Sequence, residues 1–174
     1  MVARARRWSL AWCAAMALAL ASPPAVRAQD GDVGLPIGSA APAAAVEDLD
    51  GRPVDLAQVV GKKPVLLEFW ATWCPVCAAL MPKIEAAHAR FGDRVDVVEI
   101  AVAINETRAS VQRHAAEHRY PFRFLWDATG AAVRAYQAPT TSYVVVVNAA
   151  GRVVYTGTGS DQDIEAAILR AMGG

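Results

Sequence analysis

The most informative segment of the chain reads Phe69-Trp70-Ala71-Thr72-Trp73-Cys74-Pro75-Val76-Cys77. Two cysteines separated by two residues face each other only where the backbone turns tightly, as it does in the first turn of an α-helix. Pro75 suits that position because the first residue of a helix needs no N–H donor. The free N–H groups and the dipole at a helix start stabilise a thiolate relative to a thiol. We therefore predict a redox pair in which Cys74 is exposed and attacks a disulfide. Cys77, shielded by the helix and Trp73, then resolves the mixed disulfide.

Other uses of a C-x-x-C pair find less support in the sequence. A zinc site would need two more ligands, and the available imidazoles are those of His88, His114 and His118. His114 and His118 stand four residues apart on a predicted surface helix, but nothing in the sequence places them near Cys74. A purely structural disulfide would gain little, because closing so short a loop removes little entropy from the unfolded chain. We predict no metal and no cofactor.

Composition limits the class of protein. The chain has 174 residues, of which 55% are hydrophobic and 3 are cysteines, so we expect a single folded domain rather than a disulfide-stapled scaffold. Its 17 basic and 17 acidic residues balance overall, but residues 1–28 contain four arginines and no acid. Cys13 also lies in this segment. The rest of the chain carries a net charge of −4, which argues against a nucleic-acid partner.

The first 28 residues have the pattern of an export signal. Arginines precede an uncharged run from Trp8 to Ala21, and prolines and a small-residue site follow it. We predict a signal peptide over residues 1–28 cleaved after Ala28, a flexible arm over 29–36, and one domain over 37–174. The run is short for a spanning helix, although an uncleaved N-terminal anchor is the alternative. Either form implies a periplasmic domain, in a compartment where disulfides persist.

Apolar periodicity predicts alternating strands and helices. The first predicted elements are a hairpin over 45–56, a strand over 65–70, a helix over 75–91 kinked at Pro82, and a strand over 95–104. A helix follows from a Thr107 cap to His118, with Glu106 at its exposed start. The last predicted elements are a strand over 122–125, a helix over 129–137, a hairpin over 142–156, and a helix over 162–171 capped by Asp161. This order predicts an α/β fold with one mixed sheet flanked by helices.

The segment around Cys74 resembles the active-site segment of thioredoxin-fold proteins, and Met81-Pro82 resembles their kinked helix. The stretch Ala138-Pro139-Thr140-Thr141-Ser142-Tyr143 is similar to the cis-proline loop of the same fold. Together with the export signal, residues 48–56 resemble the exported TlpA/ResA branch. The resemblance implies a thioredoxin-like fold with an N-terminal β-hairpin and a βα insertion between the C-x-x-C helix and the cis-proline strand.

The resemblance also implies where a substrate binds. A cis bond before Pro139 would place this proline beside the dithiol, and Ala138 would offer its backbone N–H and C=O to an extended substrate segment. An ordinary trans proline at a strand entrance is the alternative. Trp73 would cover the dithiol and offer a flat apolar contact. Pro75 and Thr140 complete the predicted substrate contacts.

Glu68 is the charged residue in the apolar run that precedes Cys74. Its position matches the buried acid of thioredoxins. Burial without a cation raises the pKa of a carboxyl toward the range in which it exchanges protons, so we hypothesise that Glu68 takes or returns the proton of Cys77. Glu99, in the next predicted strand, would raise this pKa further if it lies nearby. A strand-end acid pointing at solvent is the alternative.

The function that the resemblance implies is that of an exported thiol–disulfide oxidoreductase acting on protein substrates. We expect a reductant of the kind that serves cytochrome c maturation or copper-site assembly, with a membrane thiol as its electron donor. An oxidant that forms disulfides in secreted proteins is the nearest alternative, and a redox-inactive metal carrier or binding module is another. The sequence makes no prediction about oligomeric state.

Overall fold

The computed structural model describes residues 33–173, and the predicted signal peptide lies outside them. The strands are β1 (Ala45–Asp48), β2 (Pro53–Asp55), β3 (Val65–Trp70), β4 (Asp96–Val102), β5 (Arg123–Asp127), β6 (Tyr143–Val147) and β7 (Val153–Gly157). The helices are α1 (Pro75–Phe91), α2 (Arg108–His118), α3 (Ala131–Ala135) and α4 (Ile164–Gly173). Each predicted strand and helix is present, with ends that differ by a few residues. Within this described range, none of the helices combines the length and apolar character that crossing a bilayer requires.

All seven strands form one mixed sheet in the order β2-β1-β5-β4-β3-β6-β7. The central strands β3, β4 and β5 run parallel, whereas β1 and β2 on one side and β6 and β7 on the other are antiparallel to their neighbours. Strand β3 is buried along its whole length, as an apolar strand is in a sheet covered on both faces. The predicted thioredoxin-like fold is confirmed, with its N-terminal hairpin and an additional strand and helix between α1 and β6.

The order of the parallel strands places α1 and α2 side by side. The chain steps from β3 to β4 through α1 and from β4 to β5 through α2, in the same direction across the sheet. Because crossovers between parallel strands are right-handed, two steps in one direction put both helices on the same face. The start of α1, which carries the cysteines, therefore lies next to α2.

Two predicted helix caps have different outcomes. Thr107 caps α2 as predicted, with its Oγ1 accepting a backbone N–H of the first turn at 3.1 Å. The prediction that Asp161 caps the last helix is wrong, because Asp163 accepts a first-turn N–H at 3.0 Å instead. Gln162 is buried and donates from Nε2 to the Ser142 carbonyl at 3.0 Å. This tertiary bond holds Gln162 in the loop and delays the start of α4.

Part of the predicted flexible arm packs against the domain. Leu35 is buried, and its N–H donates to the Tyr143 hydroxyl at 3.0 Å. Gly34 has φ of +73°, and a Cβ at this position would come within 2.1 Å of the Tyr143 oxygen. Glycine fits here because it adopts positive φ freely and has no Cβ to collide. Contacts with the domain thus begin before residue 37, its predicted start.

Candidate active site

Cys74 and Cys77 form a disulfide at the start of α1, with their Cα atoms 5.3 Å apart. Cys74 immediately precedes the first helical turn in an extended conformation, and its Sγ accepts the Cys77 N–H at 3.1 Å. Pro75 occupies the first turn, as predicted. A backbone donor of the helix start thus points at the sulfur of Cys74, which is the arrangement that stabilises a thiolate.

The prediction that Cys74 is exposed is wrong for the disulfide form. Cys74 is 5% exposed and Cys77 is 2% exposed. The bond to Cys77 holds the sulfur of Cys74 against the first turn, so the flanking residues Trp73, Pro75 and Val76 form the exposed surface instead. A substrate therefore meets these flanking residues before it meets the sulfurs.

A cavity of about 210 Å³ lies beside the disulfide. Both cysteines line it, together with residues from the end of β3, from α1, from α2 and from the loop that follows α2: Trp70, Ala71, Thr72, Ala78, Met81, His114, His118 and Tyr120. His114 is half-buried and His118 is exposed, with ring centroids 4.2 Å apart. Contrary to expectation, these histidines lie beside the dithiol, because the two parallel crossovers bring α1 and α2 together.

A second, largely apolar groove of about 280 Å³ adjoins Trp73. Its lining combines predicted substrate contacts with residues from the end of β4 and from α3: Trp73, Val102, Ile104, Val133, Ala138, Pro139, Thr140 and Thr141. Trp73 is 48% exposed, and its Nε1–H donates to the Ile104 carbonyl at 2.8 Å. The indole is thus fixed as a wall of this groove. The indole lines this groove and not the cavity beside the disulfide, and Cys77 is buried.

Two expectations about the proline loop are also wrong. The peptide bond between Ala138 and Pro139 is trans, as are the other peptide bonds in the described part of the chain. The chain turns instead through Gln137 and Ser142, which adopt the left-handed conformation with φ of 51° and 62°. The Ala138 N–H donates to the Val133 carbonyl at 2.9 Å. Residue 138 can therefore offer a substrate its carbonyl but not its N–H.

Glu68 and Glu99 form a buried carboxyl pair on β3 and β4. Both are fully buried, and they occupy matched positions on the parallel strands β3 and β4. Among the described residues, no hydrogen-bond partner reaches any of their four carboxyl oxygens. A buried carboxyl without a donor or a cation favours its protonated form. The alternative of an acid pointing at solvent is therefore wrong.

Burial sets the protonation of this pair. Burial raises the pKa of Glu68 to about 8. Burial also raises the pKa of Glu99 well above its usual value, with the charge of Glu68 as the second cause. Both carboxyls are thus mostly protonated at neutral pH. Because alternate residues of a strand share a face, Glu68 lies on the same face of β3 as Trp70, which lines the disulfide cavity.

Glu106, expected to be a solvated residue at a helix start, instead anchors the segment before the disulfide. Its Oε2 accepts the Thr72 N–H at 2.7 Å, and its Oε1 accepts a hydrogen bond from the Ser110 hydroxyl. Partial burial favours the neutral form, but the hydrogen bonds from Ser110 and Thr72 hold the pKa of Glu106 below its usual value. An acid before an N-cap is equally typical of a solvated helix start, so no local signal reveals this contact.

Within residues 33–173, no cluster of three or more His, Cys, Asp or Glu side chains is arranged to hold a metal ion. The chemistry that this site offers is exchange between a disulfide and thiols. The helix start stabilises the attacking thiolate, and the titratable groups His114, His118 and Tyr120 line the cavity beside the sulfurs.

Comparisons with known proteins agree with this chemistry. The Redoxin family model matches residues 36–172. The thiol-disulfide oxidoreductase ResA of Halalkalibacterium halodurans is 31% identical over 122 residues, which cover 69% of this chain and 68% of the relative. The thioredoxin-like protein YneN of Bacillus subtilis is 30% identical over 137 residues, which cover 77% of this chain and 79% of the relative.

Solved structures give the same picture. A secreted disulfide oxidoreductase of Mycobacterium tuberculosis, described as homologous to E. coli DsbE, has a TM-score of 0.60 at 28% identity, with 74% of this chain and 94% of that chain covered. A thiol:disulfide interchange protein of Chlorobium tepidum has a TM-score of 0.63 at 25% identity, with 78% of this chain and 97% of that chain covered. Several of these relatives are named for the exchange that a disulfide at a helix start performs. The chain thus belongs to the Redoxin family, as a protein thiol–disulfide oxidoreductase with a C-x-x-C pair.

Proposed function

We propose that this oxidoreductase is exported and that it reduces disulfides in protein substrates, in the manner of the reductants that serve cytochrome c maturation or copper-site assembly. Export is supported by the signal pattern over residues 1–28 and by the likeness to an oxidoreductase described as secreted. The substrate class is supported by the resemblance to the TlpA/ResA branch and by the ResA relatives. A membrane thiol donor would restore the dithiol after each cycle.

Cys74 starts each cycle in the reduced protein. Its thiolate attacks one sulfur of the substrate disulfide, which forms a mixed disulfide and releases the other substrate sulfur as a thiolate. Cys77 then loses its proton and attacks the sulfur of Cys74, which breaks the mixed disulfide and releases the second substrate thiolate. The substrate gains two electrons, and the protein ends as the Cys74–Cys77 disulfide.

The surroundings of the disulfide favour reduction of substrates over their oxidation. A strongly oxidising pair is one whose reduced, thiolate form is specially stabilised. Among the described residues, no Lys or Arg lines the cavity beside the disulfide, so the helix start is left as the main source of positive potential there. The missing cation is the observation that carries the proposal, because a less stabilised thiolate gives up its electrons more readily.

Glu68 exchanges a proton with Cys77 in this scheme. With its pKa raised to about 8 by burial, Glu68 is mostly protonated at neutral pH, so its main role is to return a proton to the Cys77 thiolate when the disulfide is opened. Replacing Glu68 by Gln should slow exchange at neutral pH and remove the inflection near pH 8 from the rate–pH profile. Asp127→Asn, at a buried acid outside the disulfide cavity, is the matched control for loss of a buried acid. An unchanged profile in Glu68→Gln would remove the role.

The groove beside Trp73 is the proposed substrate site. Its lining supplies the indole face, Pro139 and Thr140, and the Ala138 carbonyl for a main-chain hydrogen bond. Pro75 is exposed next to the disulfide and would contact the residues that flank the substrate cysteine. An extended, apolar segment fits a groove of this kind, because the indole and proline offer flat apolar surface.

Reduction of insulin disulfides tests the function. We expect the reduced protein to precipitate insulin chains, and Cys74→Ser to be inactive. Cys77→Ser should accumulate a mixed disulfide with one substrate chain, detectable by mass, because nothing resolves it. A wild-type protein that fails to reduce insulin, and instead takes up one copper or zinc ion per chain, would favour the metal-carrier alternative. Efficient oxidation of a reduced substrate by the disulfide form, without reduction of insulin, would favour an oxidant.

A further inference from the structure

The exchange proposed above requires an acceptor for the proton that Cys77 gives up when it attacks Cys74. The pKa of a free cysteine thiol is about 8.5, so most Cys77 thiols keep their proton at neutral pH. Glu68 is a poor acceptor there, since burial raises its pKa to about 8 and leaves it mostly protonated. The acceptor must therefore be another group near Cys77, one that has a free lone pair at neutral pH.

His114 stands across the disulfide cavity from the cysteines. It lines the cavity of about 210 Å³ together with both cysteines, and its ring lies 5.2 Å, between centroids, from the ring of Trp70. Trp70 is buried, so this contact holds the imidazole at the cavity wall. At roughly 30 Å³ for each water molecule, the cavity has room for several, enough to connect a thiol to the imidazole.

His118 connects the same cavity to solvent. It also lines the cavity, but it is exposed, whereas His114 is half-buried. The Nδ1 of His118 lies 2.9 Å from the His114 carbonyl, and because a carbonyl oxygen can only accept, this nitrogen carries the hydrogen. The Nε2 of neutral His118 then keeps a lone pair. With ring centroids 4.2 Å apart, the two imidazoles form a short path from the cavity to bulk water.

Burial is the main reason that His114 favours its neutral form. Burial lowers its pKa below the usual value, the neighbouring His118 lowers it further, and the carboxylates of Glu117 and Glu106 act in the opposite direction. A histidine with a lowered pKa is an imidazole at neutral pH, with a lone pair available to a proton.

The remaining titratable groups near the cavity are poor acceptors. Tyr120 stays a phenol, because burial raises its pKa and the acids Glu85, Glu99 and Glu68 raise it further. The carboxyl pair behind Trp70 is mostly protonated, and no Lys or Arg lines this cavity within the described residues. Burial thus drives the protonation of the carboxyl pair and of His114 apart, since it favours the neutral acid and the neutral base, as in sites that assign separate acid and base roles.

We propose that His114 accepts, through water in the cavity, the proton that Cys77 releases as it resolves the mixed disulfide, and that His118 passes this proton to solvent. The Cys77 S–H bond breaks, its electron pair forms the Cys74–Cys77 bond, and the proton moves to an imidazole nitrogen. The substrate sulfur leaves with the electron pair of the mixed disulfide. His114 is a positioning residue in this scheme, since it acts on the thiol through water.

The test follows the two steps separately with Ellman's disulfide, which releases one coloured thiolate on attack by Cys74 and a second when Cys77 resolves the mixed disulfide. We expect His114→Gln to slow the second release about a hundredfold at pH 7, the lower end of the range of general base catalysis, and to leave the first release unchanged. His118→Gln should slow the second release less. The matched control is His88→Gln, because His88 lies outside this cavity, and it should leave both steps unchanged.

The pH dependence separates a proton acceptor from a structural role. At about pH 9 the Cys77 thiol ionises without help, so the second release in His114→Gln should approach the wild-type rate. A second release unchanged at pH 7 would overturn the proposal, and so would an equal slowing at both pH values. NMR titration of the wild-type protein gives a check that needs no variant. His114 should titrate at higher pH in the reduced form, because a thiolate favours imidazolium, and identical titration in both redox forms would overturn the proposal.

Insulin reduction by the wild type, measured alongside, separates this proposal from the proposed function on which it rests. A wild-type protein that does not reduce insulin overturns both. A wild type that reduces insulin, with a His114→Gln variant indistinguishable from it in the second release, overturns the histidine relay alone.

Discussion

Glu68 and Glu99 stand side by side on adjacent parallel strands, and both are fully buried with no hydrogen-bond partner for any carboxyl oxygen among the described residues. A pair of acids in an apolar core is costly to ionise, so its natural state at neutral pH is protonated. The protonation of the pair therefore contributes to how the stability of the protein depends on pH.

Replacing Glu68 by Gln should change how stability depends on pH. The folded pKa of Glu68 is about 8 and its unfolded value is near 4.5, so the folded chain binds more protons between these values. The contribution of Glu68 to the free energy of unfolding is therefore fully present below about pH 4.5 and is lost as the pH rises toward about 8. Urea unfolding from pH 5 to pH 9 should show this loss in the wild type and a flatter curve in Glu68→Gln. Parallel curves would contradict burial of an ionisable pair.

Truncating Glu106 should loosen the segment that precedes the disulfide. Glu106→Ala removes the acceptor of the Thr72 N–H, a hydrogen bond at 2.7 Å, and bonds to charged acceptors contribute about 1.5–3 kcal/mol. We expect a loss of about that size in the free energy of unfolding, together with slower insulin reduction. Glu117→Ala on the exposed side of α2 changes the net charge equally and should cost little. Equal effects of the two substitutions would show that charge alone matters.

Much of the fold and part of the site can be predicted from sequence because their signals are local. The apolar run of β3, Pro75 at a helix start and the Thr107 cap each act within a few residues. Placement of His114 beside Cys77 and the contact of Glu106 with Thr72 depend on how α2 docks beside α1. Neither contact leaves a mark in the sequence around it. The order of the three parallel strands, together with the right-handedness of their crossovers, is what predicts that His114 lies beside the disulfide.

Gly34 should tolerate alanine poorly, and Gly38 offers a matched comparison. Both have positive φ, but a Cβ at Gly34 would come within 2.1 Å of the Tyr143 oxygen, while a Cβ at Gly38 meets nothing within 4 Å. Gly38→Ala should therefore cost only the backbone strain, about 1–2 kcal/mol. Gly34→Ala should cost more in urea unfolding, and adding Tyr143→Phe should recover part of the difference. Equal losses in the two alanine variants would mean that the collision is relieved in some other way.

Trp73 should affect substrate binding more than the redox properties of the cysteines. Trp73→Ala removes the exposed wall of the groove, and we expect KM for a protein disulfide to rise about tenfold, as for the loss of about 1.4 kcal/mol of contact energy. Trp73→Phe should retain part of the binding. Leu169→Ala, which removes an exposed apolar side chain on α4, should leave KM unchanged. A KM that stays constant in Trp73→Ala would place the substrate elsewhere.

The equilibrium reduction potential of the Cys74–Cys77 pair against glutathione is the most direct test of the central claim. A disulfide at a helix start, with no Lys or Arg lining its cavity in the described structure, should belong to a reductant. We expect a potential near that of cytosolic thioredoxin, about −270 mV. A potential near about −120 mV, the range of strong periplasmic oxidants, would contradict it.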